Sequence, residues 1–142
     1  MQDFQLNRRL AQDGILLGEL ELSLLLLMNN ALVPWLILVP RVAETELYRL
    51  SQTQQASLLH EVSLVSEFVQ AEYASDKLNV ASIGNIVSQL HVHIVGRRRD
   101  DFCWPQVVWG RTERRTYADA EITHIAGRIE QHLTGHFSPI RL

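Results

Sequence analysis

The chain contains a single cysteine, Cys103, among its 142 residues. One thiol excludes an intrachain disulfide, so the composition fits a reducing compartment, and we expect the cytoplasm. The residues around Cys103 give no sign of an activated thiol. We therefore predict that it is a small apolar residue that fills space.

Long hydrophobic runs are also lacking, although leucine is abundant between residues 22 and 39. Ser23, an Asn-Asn pair and Pro34 interrupt this stretch, and the uninterrupted run Leu24–Met28 is too short to cross a membrane. The N-terminal residues lack the apolar run of a secretory signal. We expect two buried strands joined by a turn, and no membrane partner.

An excess of positive charge is absent as well, since the formal net charge is -3. This balance does not favour binding to a nucleic acid polymer. The basic run Arg97-Arg98-Arg99 is followed at once by Asp100 and Asp101. We interpret it as a solvated strand end, with steering of a phosphate group as the alternative.

The periodicity of apolar residues predicts an α+β fold in one domain over residues 1–142. We expect an antiparallel sheet of about five strands with helices packed on one side. Ser51 is a plausible N-cap for a long helix. The histidines at 60, 124, 132 and 136 are expected on the surfaces of helices. The predicted helices cover about 4–13, 52–73 and 118–133, and the predicted strands cover about 22–28, 35–39, 77–83 and a segment that begins near 87.

The segment 89–97 alternates polar and apolar residues with the period of a strand. Gln89, His91 and His93 fall on one face. A neutral imidazole is a good nucleophile near pH 7, provided that its other nitrogen donates its proton to a fixed acceptor such as a main-chain carbonyl. A His-x-His pair is also a common metal half-site, but no further ligand spacing stands out, so we expect no metal and no cofactor.

This segment, with residues 28–41 upstream, resembles the signature region of the histidine triad (HIT) superfamily. The signature strand there has the pattern His-φ-His-φ-His-φ-φ, in which φ is apolar. The resemblance covers about residues 14–110 and implies a homodimeric α+β enzyme, a nucleotidyl hydrolase or transferase. It implies that His91 attacks the α-phosphorus of a nucleotide conjugate to form a nucleotidyl-histidine, which water then hydrolyses, and that His93 contacts the phosphate. The implied substrates include dinucleoside polyphosphates and nucleoside phosphoramidates.

Two positions depart from the family pattern. Gln89 stands where the first histidine is expected, although its main-chain carbonyl is still available and its amide could bind a phosphate oxygen. Trp35 stands where many relatives have a further histidine, and it could stack on a base or fill core space. These departures motivate an alternative, a catalytically weak nucleotide-binding sensor of the same fold.

Other site residues follow from the resemblance. Asn29 occupies the position of a residue that holds ribose hydroxyls, although it would also stabilise the turn. Asn79, Asn85 and Ser88 are candidates for contacts to phosphate oxygens, with turn formation as the rival role of Asn85. Trp104 and Trp109 lie in a segment that shapes the pocket or the dimer contact in relatives, or they are packing anchors.

Overall fold

Six strands form one antiparallel sheet in the computed structural model, which describes residues 3–140. The strands are β1 (Gly14–Glu19), β2 (Ser23–Met28), β3 (Trp35–Pro40), β4 (Lys77–Ala81), β5 (Val92–Arg97) and β6 (Ser138–Pro139), and the helices are α1 (Arg8–Asp13), α2 (Gln52–Tyr73) and α3 (Asp119–His132). The strand order is β4-β5-β3-β2-β1-β6, and each neighbouring pair is antiparallel. The predicted α+β fold is confirmed.

The sheet has one strand more than the five expected, and some boundaries differ from those predicted. Strand β1 is not among the strands predicted above, but it pairs with β2 from Gly14 opposite Met28 onward. Helix α1 begins later than predicted because Asn7 caps it, accepting a hydrogen bond from the Arg9 N–H at 2.8 Å. Strand β5 begins at Val92, so residues 82–91 approach it as an irregular segment.

The leucine-rich β2 and the neighbouring β3 occupy the middle of the sheet, where both faces are covered. Leu25 and Leu27 pack on the face of α2 and α3, and Leu26 packs on the opposite face. A continuous apolar run is the sequence of such a doubly buried strand. No helix within residues 3–140 combines the length and the hydropathy that a membrane crossing requires.

Helix α2 has the predicted boundaries. The Ser51 hydroxyl accepts a hydrogen bond from the Gln54 N–H, and the Gln54 side chain accepts one from the Ser51 N–H, which is a capping box. Helical periodicity predicts that one side of α2 is apolar, with Leu58, Leu59, Val62, Val65, Val69 and Tyr73, and that Glu61 is on the polar side. Two positions differ from this prediction, since Leu59 is 67% exposed and Glu61 is buried.

Helices α2 and α3 cover one face of the sheet, as expected. The short α1 and residues 102–109 cover part of the other face, where Leu10, Cys103 and Val108 are buried together. Cys103 is buried in this cluster, and its Sγ also lies 3.7 Å from the Arg97 guanidinium. The side chain of His93 lies on this second face, because it alternates with Ile94, which packs beneath the helices.

Candidate functional site

A cleft of about 410 Å³ opens on the face of the sheet opposite α2 and α3. Both histidines of the signature segment line it. Its walls come from α1, from β2 and β3, and from the segments around residues 83–87 and 108–114. The lining residues include Arg9, Asp13, Met28, Trp35, Ile37, Asn85, Val87, His91, His93, Trp109, Arg111, Glu113 and Arg114.

The orientation of His91 is fixed by the main chain. Its Nδ1 lies 2.7 Å from the carbonyl oxygen of Gln89. A carbonyl oxygen only accepts hydrogen bonds, so Nδ1 carries a proton, and in the neutral ring Nε2 carries the lone pair. His91 is 4% exposed. The cleft therefore contains an imidazole whose neutral form has its nucleophilic nitrogen at Nε2.

The orientation of His93 is fixed by a side chain from the neighbouring strand. The indole Nε1–H of Trp35 donates to His93 Nδ1 at 2.9 Å. Trp35 pairs with Val95 across β3 and β5, which makes it the diagonal neighbour of His93 on the same face. Because indole only donates, Nδ1 of His93 is the unprotonated nitrogen and Nε2 carries the proton.

His93 is surrounded by aromatic rings. The ring centroids of Trp35, Trp109 and His91 lie 5.7, 5.5 and 4.9 Å from that of His93. Burial, and secondarily the neighbouring His91, lowers the pKa of His93 to about 4. At pH 7 the cleft therefore holds a neutral His93 that offers an N–H to a ligand.

Three arginines lie at the rim of the cleft. Arg111 is paired with Glu113 at 2.7 Å and Arg9 with Asp13 at 3.5 Å, while Arg114 donates to the main-chain oxygens of Asn29 and Asp13. The rim has one more positive than negative charge, which favours an anionic ligand. The sequence interpretation missed these residues, although the run Arg111-Thr-Glu-Arg-Arg was visible.

Within residues 3–140, no three His, Cys, Asp or Glu side chains are arranged to hold a metal ion.

Comparison with known proteins decides the family, since the model described as the HIT domain matches residues 9–100. The chain belongs to the HIT family. Three solved histidine triad proteins share this HIT fold. They come from Bradyrhizobium japonicum (39% identity, TM-score 0.89, covering 92% of this chain and 98% of that one), Sinorhizobium meliloti (40%, 0.88, 92% and 97%) and Marinobacter aquaeolei (41%, 0.89, 93% and 97%). No curated protein matches the chain.

The first departure from the HIT signature, Gln89, takes its side chain away from the cleft. Its Oε1 accepts from the Asn7 N–H at 2.8 Å, and its Nε2 donates to the carbonyl of Gln5 at 2.9 Å. The expected contact of this amide with phosphate therefore finds no support in the geometry. Only the main-chain carbonyl of Gln89 serves the site.

The second departure, Trp35, has a role that the sequence interpretation did not include. The sequence predicts either stacking on a base or filling of core space. Trp35 is buried and lines the cleft, but its polar contact is the hydrogen bond to His93. The indole N–H therefore keeps a polar group at this position.

Of the four supporting residues, Asn85 alone lines the cleft. Asn29 accepts a hydrogen bond from the Tyr117 N–H at 2.9 Å, and Asn79 accepts one from Arg97 at 2.9 Å. Ser88 lies with Gln89 beside a separate surface pocket. Asn29, Asn79 and Ser88 are therefore not among the residues that line the cleft.

Arg97 does not steer phosphate, and it is not part of a solvated strand end. Its guanidinium is buried, pairs with Asp101 at 2.8 Å and also donates to the carbonyl of Gln106 at 2.8 Å. The ring of Trp104 lies 5.5 Å from its Cζ. Arg97 therefore anchors the segment 101–109, which brings Trp109 against His93.

Proposed function

We propose that this HIT protein is a nucleotide hydrolase or transferase that acts at the α-phosphate of a nucleotide conjugate through a nucleotidyl-histidine intermediate on His91. The observation that carries the proposal is the 2.7 Å contact between His91 Nδ1 and the Gln89 carbonyl oxygen. It leaves the Nε2 lone pair as the nucleophile in a cleft large enough for part of a nucleotide.

In the first step, His91 Nε2 forms a bond to the α-phosphorus as the bond from phosphorus to the leaving group breaks. The imidazole ring then carries a positive charge, which the Gln89 carbonyl stabilises through the Nδ1–H. The Nε2–H of His93 donates to a phosphate oxygen. In the second step, a water oxygen bonds to phosphorus and the water gives up one proton to the solvent, while the N–P bond breaks and its electron pair returns to His91. A nucleoside monophosphate leaves.

The substrate class is a dinucleoside polyphosphate or a nucleoside phosphoramidate. Support comes from the aromatic and apolar walls of the cleft, which suit a nucleoside, and from the three rim arginines, which suit phosphate oxygens. Transfer of the nucleotidyl group to an acceptor other than water begins with the same first step, formation of the adduct on His91.

The intermediate can be tested directly. We expect that mixing the protein with diadenosine tetraphosphate and quenching under denaturing alkaline conditions yields a covalent adduct of one adenylyl group. Peptide mass spectrometry should place it on His91, and His91→Asn should lack it. Reaction in ¹⁸O-water should put the label into the released AMP. Absence of both adduct and label from the wild-type protein would contradict the proposed chemistry.

The second candidate function is a nucleotide sensor with little turnover. The specific observation in its favour is that the Gln89 side chain is held by residues 5 and 7, so the first position of the signature gives no side-chain group to the cleft. Calorimetric titration with AMP beside the turnover assay separates the two candidates. Tight binding without product would favour the sensor.

A homodimer through the β4 edge is also part of this proposal. Strand β4 lies at one end of the sheet, and an apolar patch beside it includes Tyr48, Leu59 and Val80, which are 74%, 67% and 48% exposed. Pairing of β4 with the β4 strand of a second copy of the chain would give hydrogen-bond partners to the main-chain groups at this edge, and it would bury the patch.

We expect Leu59→Glu with Val80→Glu to convert a dimer into a monomer in analytical ultracentrifugation, because the substitutions place charges in the interface. Ile140→Glu, an exposed apolar position after β6 at the other end of the sheet, is the matched control. A monomeric wild-type protein at micromolar concentration would refute the dimer.

The cytoplasm remains our proposal for the location, supported by the single buried cysteine.

A further inference from the structure

We infer that the Trp35–His93 pair restricts this site to nucleotide conjugates whose leaving group departs as an oxyanion, and that nucleoside phosphoramidates are poor substrates. Phosphoanhydrides and acyl phosphates of nucleotides belong to the favoured class. The inference rests on the proposed function, and it narrows that function to one of its two substrate types. It starts from the 2.9 Å hydrogen bond between Trp35 Nε1 and His93 Nδ1.

The indole of Trp35 fixes the protonation state of His93 because indole has no acceptor. A proton on Nδ1 would face the indole N–H and break the hydrogen bond. A histidine or a hydroxyl group in place of Trp35 could reverse its role and accept from Nδ1. Trp35 cannot, so the hydrogen bond persists only while His93 is neutral.

The other neighbours of His93 do not favour its charged form. Ile37 of β3 and Ala81 of β4 pair with it in the sheet, and His91 and Trp109 lie beside its ring. Among residues 3–140, the Trp35 indole is the one hydrogen-bond partner of the His93 side chain, and no carboxylate forms an ion pair with it. Burial lowers the pKa of His93 to about 4, in agreement with this geometry.

The charged groups of the cleft do not supply an acid either. The carboxylates in its lining are Asp13, which is paired with Arg9, and Glu113, which is paired with Arg111. The hydrogen bond from Arg111 lowers the pKa of Glu113, so that it is ionised at pH 7. The arginines remain protonated.

The two substrate types differ in whether they need such an acid. When His91 Nε2 bonds to the α-phosphorus of an anhydride, the P–O bond breaks and its electron pair stays on a phosphate or carboxylate oxygen, which needs no proton. When it attacks a phosphoramidate, the P–N bond breaks and the electron pair stays on nitrogen, which must gain a proton to leave as an amine. General acid catalysis of this kind contributes about 10²- to 10⁴-fold. The neutral His93 donates a hydrogen bond but does not release a proton at pH 7.

The test compares two substrates that differ in one atom, adenosine 5′-(4-nitrophenyl phosphate) and adenosine 5′-N-(4-nitrophenyl)phosphoramidate. We expect kcat/KM of the oxygen-linked compound to exceed that of the nitrogen-linked compound by about 100-fold or more at pH 7. In Trp35→Phe, Nδ1 of His93 is free to take a proton, so this ratio should fall by about tenfold or more at pH 6. Trp109→Phe removes an indole at a similar distance that does not bond to His93, and it should change both rates together and leave the ratio unaltered.

The outcomes are distinguishable. If the wild-type protein cleaves both compounds equally well through an adduct on His91, the proposed function stands and this inference is overturned. If it cleaves neither and forms no adduct, the proposed function fails and the inference fails with it. Should Trp35→Phe not fold, ¹⁵N NMR of the histidine side chains still decides the question, with His93→Gln to assign the signals. We expect an unprotonated Nδ1 on His93 that persists to pH 5, and a protonated Nδ1 at pH 7 would overturn the inference.

Discussion

The His91→Ala variant should release AMP from diadenosine tetraphosphate at least about 10⁴-fold more slowly than the wild-type protein, because no other side chain that lines the cleft within residues 3–140 offers a lone pair held in this way. His93 is the nearest imidazole, but its unprotonated nitrogen, Nδ1, accepts the hydrogen bond from Trp35, and its other nitrogen carries the proton. The measurement is AMP formation followed by chromatography under single-turnover conditions.

Two controls show whether the loss is chemical. His124→Ala removes an exposed imidazole from α3 and should keep the wild-type rate. The His91→Ala variant itself should still bind AMP within a few-fold of the wild-type affinity, because the rim arginines and the aromatic walls remain. Turnover within tenfold of wild type in His91→Ala would exclude the covalent mechanism, and loss of both turnover and binding would indicate a damaged fold.

The position of His91 was predictable from sequence because its orientation is local. The alternation of residues 89–94 assigns the histidines to one face, and the acceptor of His91 Nδ1 lies two residues away on the same segment. Such short-range geometry depends on the backbone conformation of a few residues. The capping box at the start of α2 was predictable for the same reason.

The partner of His93 was not predictable from pattern alone. Trp35 and His93 are 58 residues apart, and they meet only because the register of β3 and β5 places Trp35 opposite Val95. A shift of one residue would turn Trp35 to the other face of the sheet. The hydrogen-bond partners of the Gln89 and Asn29 side chains were not predictable for a related reason, since they come from segments far away in the sequence.

The environment of Arg97 was the least predictable from local sequence, because it is buried while the adjacent Arg98 and Arg99 are exposed. Arg97 is 1% exposed, whereas Arg98 lies in solvent and pairs with Asp100. Burial alone would raise the pKa of Asp101, but hydrogen bonds from the Arg97 guanidinium and from the N–H groups of Arg98 and Cys103 hold this pKa below its usual value. The ion pair is thus charged on both sides inside the protein.

We therefore expect Arg97→Met to lower the free energy of unfolding by about 3–5 kcal/mol, because it leaves the Asp101 carboxylate buried without a counter-charge. The loss also frees the Gln106 carbonyl and the Asn79 side chain from their donor. Urea denaturation followed by circular dichroism measures the change. Arg98→Met breaks an ion pair of the same chemistry in solvent and should leave the midpoint almost unchanged.

A second substitution identifies the cause of this loss. If the uncompensated carboxylate is responsible, adding Asp101→Leu to Arg97→Met should recover part of the stability, since an apolar pair can replace a buried ion pair. Equal midpoints for Arg97→Met and Arg98→Met would show that the buried pair does not stabilise the fold.

Because Arg97 anchors the segment that holds Trp109 against His93, Arg97→Met should also weaken AMP binding at temperatures where the variant is still folded. The basic residue after the signature strand would then serve the cleft through the loop that it fixes, without contact to phosphate.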